Sequence, residues 1–273
     1  MLLGVWMSLR KLTEFFIRNW TQAPGAGLHN YRVAVSFSGP IGSALVRSFL
    51  TTVALTVVIV GCSWLIGFTA AVLMERPFRG RALLRTLFLV PYALPIFAEV
   101  ITWRFMFQQN GAVNTVADDL HVISTHPFWL LGGGHSFAAL AIVMVWRLWP
   151  FAFLVVTAGL QSVPPDLYEA ARIDGAGEMR RVRAVTMPLL RPVNVVLLLV
   201  LFLWVFNEFN SPYYLFDQPP SSADMISIHI YNASFTTWNF GLGSAMSVLM
   251  MIFLAVVTGG FLAWRRRRTG AIA

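Results

Sequence analysis

Five apolar runs, at roughly 49–74, 86–106, 137–160, 193–209 and 241–264, constrain this chain more than any other feature. A segment needs about 20 apolar residues to cross an ordinary bilayer, and only helices or closed barrels satisfy their backbone hydrogen bonds there. The charge content points the same way. Twenty Lys and Arg and twelve Asp and Glu, against 57% hydrophobic residues, are too few charges to coat a soluble globule of 273 residues. The fold class is therefore all-α and integral to a membrane, a polytopic helical bundle with five visible spans. The fourth run is short and is expected to recruit Pro188 to Pro192, or Asn207 and Glu208, to reach full thickness. The net charge of +8 does not indicate nucleic acid, because the basic residues sit in blocks between apolar segments.

Those blocks orient the chain. Arg76, Arg79, Arg81 and Arg85 follow the first run; Arg172, Arg180, Arg181, Arg183 and Arg191 precede the fourth; Arg265 to Arg268 follow the last. Cytoplasmic loops carry the excess of Arg and Lys, so these segments are expected inside, with a basic tail at 265–273. The loops at 107–136 and 210–240 carry neither residue and fall outside. Residues 12–48 then lie outside too, despite Arg18, Arg32 and Arg47. The stretch Met1 to Leu9 is apolar but too short to cross and has no small-residue cleavage site; it reads as an interfacial segment or as the stub of a span. An exterior start leads us to expect a truncated first span, unless partner subunits or the 12–20 segment, with Phe15, Phe16, Ile17 and Trp20, replace it. The expected division is an N-terminal and extracytoplasmic segment at 1–45, a transmembrane domain at 46–264 with a cytoplasmic loop at 161–192, and the tail.

Within that loop, SVPPDLYEAARIDGA (162–176) has the marks of a short exposed helix. Ser162 is the expected cap, Pro164 and Pro165 suit a first turn, Asp166 favours the positive end of the helix dipole, and Gly175 is placed to end the helix in a left-handed conformation. A second helix is expected from Gly177 or Glu178 to about Thr186, with Pro188 interrupting it. Two short helices at an angle make a knob with an acidic, small-residue tip, suited to a groove on another protein. On composition alone an ordinary solvated connector fits equally well.

Ionisable residues at membrane depth are functional candidates, here Glu99, Arg104, Arg147 and Glu208. Arg104 is near a span end, where it can snorkel to water. Arg147 lies between Trp146 and Trp149. The run from Trp204 through Asn207 and Glu208 to Asn210 offers aromatic faces, amides and a carboxylate, as a sugar site requires and as an interfacial aromatic belt also presents. Glu99, Trp146, Arg147, Trp204, Asn207, Glu208 and Asn210 are accordingly the candidate substrate path. Pro91, Pro95 and Pro150 are expected to kink spans and open backbone groups toward a cavity. Cys62, the single cysteine, reads as a small buried hydrophobe.

Other functions fit poorly. The histidines at 29, 121, 126, 135 and 229 show no metal-type pairing with carboxylates, Asp118, Asp119, His121 and His126 being the nearest approach. A membrane-embedded enzyme is thereby disfavoured. A secondary transporter driven by an ion gradient would show internal repeats with interrupted helices, and neither the 76–95 pattern nor the 169–176 pattern recurs. The only lysine, Lys11, lacks the preceding glycines of a P-loop, so no nucleotide site is recognisable.

Glu169-Ala170-Ala171, Asp174-Gly175-Ala176 and Pro188, thirteen residues beyond Gly175, resemble the EAA motif in permease subunits of binding-protein-dependent ABC importers. RPFRGRALLRTLFLVPYALP (76–95) and ITWRFMF (101–107) resemble the sugar-transporting, maltose-type subgroup, and the likeness covers about residues 45–264. Val182, Val185 and Met187 stand where the motif usually has Phe, Ile and Leu. FDQPPSSAD (216–224) stands where maltose-type permeases carry a glycine-rich turn. The resemblance implies the bundle of a type I importer permease and a carbohydrate or polyol cargo. It assigns ATPase coupling to Glu169, Ala170, Ala171, Asp174, Gly175, Ala176 and Pro188. It implies no enzyme activity and no cofactor in this chain, with ATP and Mg held by partner ATPases. The implied partners are a second homologous permease subunit, two copies of a cytoplasmic ABC ATPase, an extracytoplasmic solute-binding protein and membrane lipid, with no nucleic acid. The implied location is the bacterial cytoplasmic (inner) membrane, with the C-terminus in the cytoplasm.

Overall fold

The computed structural model describes residues 2–37, 39–122 and 125–269. Met1, the side chains of Arg268 and Thr269, and residues 270–273 of the expected tail lie outside the described residues. In chain order the helices are α1 (Leu2–Ser8), α2 (His29–Ala34), α3 (Pro40–Leu73), α4 (Arg81–Ala93), α5 (Ile96–Met106), α6 (Ala112–Asp119), α7 (Gly133–Leu160), α8 (Pro165–Ile173), α9 (Glu178–Arg181), α10 (Met187–Leu189), α11 (Arg191–Phe206), α12 (Asn210–Phe216), α13 (Ile226–Tyr231) and α14 (Phe240–Thr269). Two π-helical turns, Val182–Thr186 and Asn232–Thr236, follow α9 and α13.

Three of these helices, α3, α7 and α14, are each long and apolar enough to cross a membrane. Two bent pairs bring the number to five where each is counted as one span: α4 with α5, bent by 92°, and Glu178–Leu189 with α11, bent by 72°. The second apolar run is thus broken rather than straight. Pro91 sits inside α4 and Pro95 caps α5, so the missing N–H of Pro95 falls where the chain turns. Pro150, by contrast, is absorbed within an unbroken α7. The fourth run gains Arg191 and Pro192 at its start, but α11 ends at Phe206, and Asn207 and Glu208 lie beyond it.

The chain divides into two compact units, residues 54–220 and residues 1–53 with 221–273. In the first, α7 is the central helix, packed by α4, α11 and α12. Its apolar window is 56% buried, against 17% for α14. Small residues permit the close packing: a Cβ on Gly67 of α3 would lie 2.6 Å from the Cβ of Ala152 on α7. Cys62 is exposed, not buried as expected, because with Val58 and Ile66 it lines an open apolar groove between α3 and α7. In lipid an apolar face needs no protein cover.

In the second unit α1 packs on α14. Ser8 Oγ and the Tyr31 hydroxyl are 2.6 Å apart, and Asn30 Nδ2 donates to the carbonyls of Ser8 and Arg10 at 2.9 and 2.8 Å. Ser48 Oγ donates to Asp224 at 2.5 Å, and Thr52 Oγ1 accepts the Ile226 N–H at 2.8 Å. The boundary expected between residues 45 and 46 falls inside α3, and residues 265–269 continue α14.

Candidate coupling and cargo sites

The loop at 161–192 folds as two short helices. Pro165 occupies the first turn of α8, Asp166 lies at its positive end and Arg172 at its negative end. Gly175 has φ +70°, and the Ala176 N–H donates to the Ala171 carbonyl at 2.9 Å, closing the helix as a left-handed cap. Ser162 does not cap α8. Its Oγ donates back to the Gly159 carbonyl at 2.7 Å, satisfying the end of α7 instead.

The second helix also departs from expectation. It runs past Thr186 and through Pro188 to Leu189 and breaks only at Leu190. The π turn Val182–Thr186, in which the Met187 N–H donates to the Val182 carbonyl, widens the helix just before the proline.

No residue of α8 is buried. Glu169, Ala170, Asp174, Gly175 and Pro188 are exposed, and Ala171 and Ala176 half-buried. The tip is more apolar than expected: Ile173 is 87% exposed and Leu167 42%. Tyr168 and Thr186 hydroxyls, 3.1 Å apart, tie α8 to the π turn. Glu178 pairs with both Arg76, from the α3–α4 connection, and Arg181. Tyr168, Glu169 and Arg172 share with these residues the walls of a cavity of about 290 Å³. Partial burial raises the Tyr168 phenol above its ordinary 10.0.

A second cluster lies at membrane depth. Arg147 occupies the midpoint of the 28-residue α7. Its Nε stands 3.8 Å from Glu99 Oε2 and its Nη1 donates to Glu208 Oε2 at 3.5 Å. Glu99 is in the first turn of α5, just after the bend, and its side chain is fully buried. Glu208 lies in the break between α11 and α12, where its Oε1 accepts the Ser211 N–H at 2.9 Å. Two helix interruptions therefore converge on one guanidinium. Beside it, Leu94, Ala98, Glu99, Thr102, Trp103 and Trp146 line a cavity of about 360 Å³. The Trp103 and Trp146 rings meet edge to face at 5.7 Å.

The other path candidates stand apart from this cluster. Trp204 packs on Phe151, with ring centroids 4.6 Å apart, Asn207 Nδ2 donates to the Leu203 carbonyl of its own helix at 2.8 Å, and Asn210 is exposed at the start of α12. Arg104, half-buried, donates from Nη1 to the Tyr214 carbonyl at 3.4 Å, a tie between α5 and α12. His126 approaches Asp118 at 3.7 Å on the surface.

Residues 63–270 match the family described as binding-protein-dependent transport system inner membrane component. The chain belongs to this family. The inner membrane ABC transporter permease protein YcjO of Escherichia coli strain K12 is 32% identical over 213 residues, 77% of this chain and 71% of that protein. The trehalose/maltose transport system permease protein MalF of Thermococcus litoralis is 31% identical over 258 residues, 93% and 82% of the two chains. A solved bacterial ABC transporter involved in the import of the acidic polysaccharide alginate shares the fold, with a TM-score of 0.78 over 97% of this chain and 88% of that one at 20% identity.

Membership of this family supports a permease subunit of a binding-protein-dependent ABC importer, and the interrupted helices, expected of a gradient-driven transporter, occur in this chain as well. Sequence reasoning missed Tyr168, Thr186, Arg76, Glu178 and Arg181 as supports of the α8 knob. A signal was present in Tyr168, the one aromatic residue of α8. It also missed Trp103, which joins the permease's central cluster across α5 and α7.

Proposed function

We propose that this permease forms the translocation path for a carbohydrate or related polyol delivered by an extracytoplasmic solute-binding protein, and that ATP-driven movement of partner subunits reaches it through α8. The observation that carries this reading is α8 itself. A short helix with no buried residue, closed by a left-handed glycine and tipped by Ile173, adds nothing to the core of its own chain. Its shape suits a groove on a cytoplasmic ATPase, with Glu169, Ala170, Ala171, Asp174, Gly175 and Ala176 as the coupling residues and Pro188 in the supporting helix.

The arginine-rich segments support a cytoplasmic α8 and C-terminus, with residues 46–264 as the transmembrane domain, 161–192 as its coupling loop and 265–273 as a basic tail. The chain has no glycine-rich turn leading to its one lysine, Lys11. The energy is then supplied by two ATPase copies that hold ATP and Mg, and this chain takes no cofactor. A second, homologous permease subunit completes the path. The relative named for trehalose and maltose supports a carbohydrate cargo. The path runs by Glu99, Trp146, Arg147 and Glu208 at mid-depth and by Trp204, Asn207 and Asn210.

Purification from native membranes tests this. A stable ATPase partner, identified by mass spectrometry, whose hydrolysis rises with a sugar-loaded binding protein is the expected result. A permease that purifies without an ATPase, or with one indifferent to every loaded binding protein, would sink the reading.

A further inference from the structure

We infer that the Glu99–Arg147–Glu208 cluster is a charge filter on the cargo, with Glu99 as the residue that sets it: the adjoining cavity admits an uncharged, hydroxyl-bearing ring and disfavours one carrying a carboxylate, phosphate or sulfonate. This rests on the carbohydrate path proposed above.

Two carboxylates face one guanidinium, so acid outnumbers base within this triad at the midpoint of α7. The two are not equally occupied. Glu208 accepts from Arg147 at 3.5 Å and from Ser211 at 2.9 Å. Glu99 has only the 3.8 Å ionic approach of Arg147, and neither of its oxygens has a hydrogen-bond partner among the described residues. Its side chain is fully buried against protein yet forms part of the cavity wall.

The remaining wall matches a neutral ring. Trp103 and Trp146 contribute apolar indole surface to the wall, suited to the C–H side of a pyranose. Thr102 already donates its hydroxyl to the Ala98 carbonyl at 2.8 Å and so presents an acceptor. Acceptors and ring faces reward hydroxyl donors. An anionic cargo brings no donor at its charged group and places like charge beside Glu99 in a low-dielectric site, where repulsion is poorly screened.

The test uses the complete importer, purified with its natural partners and reconstituted in vesicles. Uptake of a neutral disaccharide is measured against the same disaccharide oxidised to a C6 carboxylate, each presented on saturated binding protein. The preference contributed by the binding protein cancels when variants are compared. Glu99→Gln shifts the neutral-to-anionic uptake ratio toward the anion by about tenfold, the scale of a modest like-charge discrimination, and Glu99→Lys shifts it further. Glu208→Gln, which also removes one negative charge, shifts it in the same direction and serves if Glu99 variants fail to insert. Inserted, transporting variants with an unchanged ratio would overturn the filter. If the wild-type complex carries no carbohydrate at all, the cargo reading fails on its own, and the ratio is then read on amidated and carboxylated forms of the cargo it does carry.

Discussion

Arg147 Nη1 lies 3.5 Å from Glu208 Oε2, joining the midpoint of α7 to the break between α11 and α12. Because the same guanidinium also faces Glu99, it is the only cation within ion-pairing distance of two carboxylates among the described residues. Removing it deprives both acids of that ion pair. A lost buried partner costs about 3–5 kcal/mol, so Arg147→Gln is expected to lower the unfolding temperature of the purified permease markedly. The surface pair Arg76–Glu178 is the control. Its side chains are 64% and 60% exposed, exposed pairs contribute about 0–1 kcal/mol, and Arg76→Ala is expected to leave unfolding nearly unchanged.

Gly175→Leu tests the coupling knob. At φ +70° a side chain is strained, by roughly 1–2 kcal/mol, yet no neighbouring atom lies within 4 Å of the added Cβ. The variant is expected to insert and assemble normally while uptake per ATP hydrolysed falls. Normal uptake by the reconstituted complex would count decisively against a coupling role for α8.

Tyr168→Phe removes the tie between α8 and the π turn and leaves the buried Thr186 hydroxyl without that partner. The expected cost is about 1 kcal/mol, seen as faster amide exchange in α8 and a lower uptake-to-hydrolysis ratio. The pH dependence has a definite sign. Since the folded phenol titrates above its ordinary 10.0, its contribution is fully present below pH 10 and is lost only as pH rises through the raised value. The difference between wild type and variant in α8 exchange protection is therefore expected to stay constant from pH 6 to 9.

Gly67→Leu addresses packing. With Ala152 and the Phe153 backbone so close, the larger side chain forces α3 and α7 apart. Overpacking of this kind costs about 1–3 kcal/mol. Gly61→Leu, whose Cβ meets nothing within 4 Å, is expected to be tolerated, and thermal unfolding of the two variants compares them directly.

Much of this was legible beforehand because it is local. Apolar runs near 20 residues announce spans whatever surrounds them, arginine blocks orient loops, and Pro165, Asp166 and Gly175 define the ends of α8 by their own backbone and dipole chemistry. The failures were local rules overruled by neighbours. Ser162 turned to the end of α7, Pro188 was accommodated by a π turn, and Cys62 was left exposed in an open apolar groove between α3 and α7.

The sequence by itself determined the fold class, the helical knob and its family, since each follows from hydropathy and short-range spacing along one strand of chain. Only the tertiary structure decided which polar residues meet. Glu99, Arg147 and Glu208 lie on three separate segments, and they form one cluster because the bend before α5 and the gap between α11 and α12 both fall beside α7. Trp204, Asn207 and Asn210 carry an equally suggestive pattern and stand outside it. No periodicity records such a meeting, because it depends on how segments distant in sequence pack around a common helix.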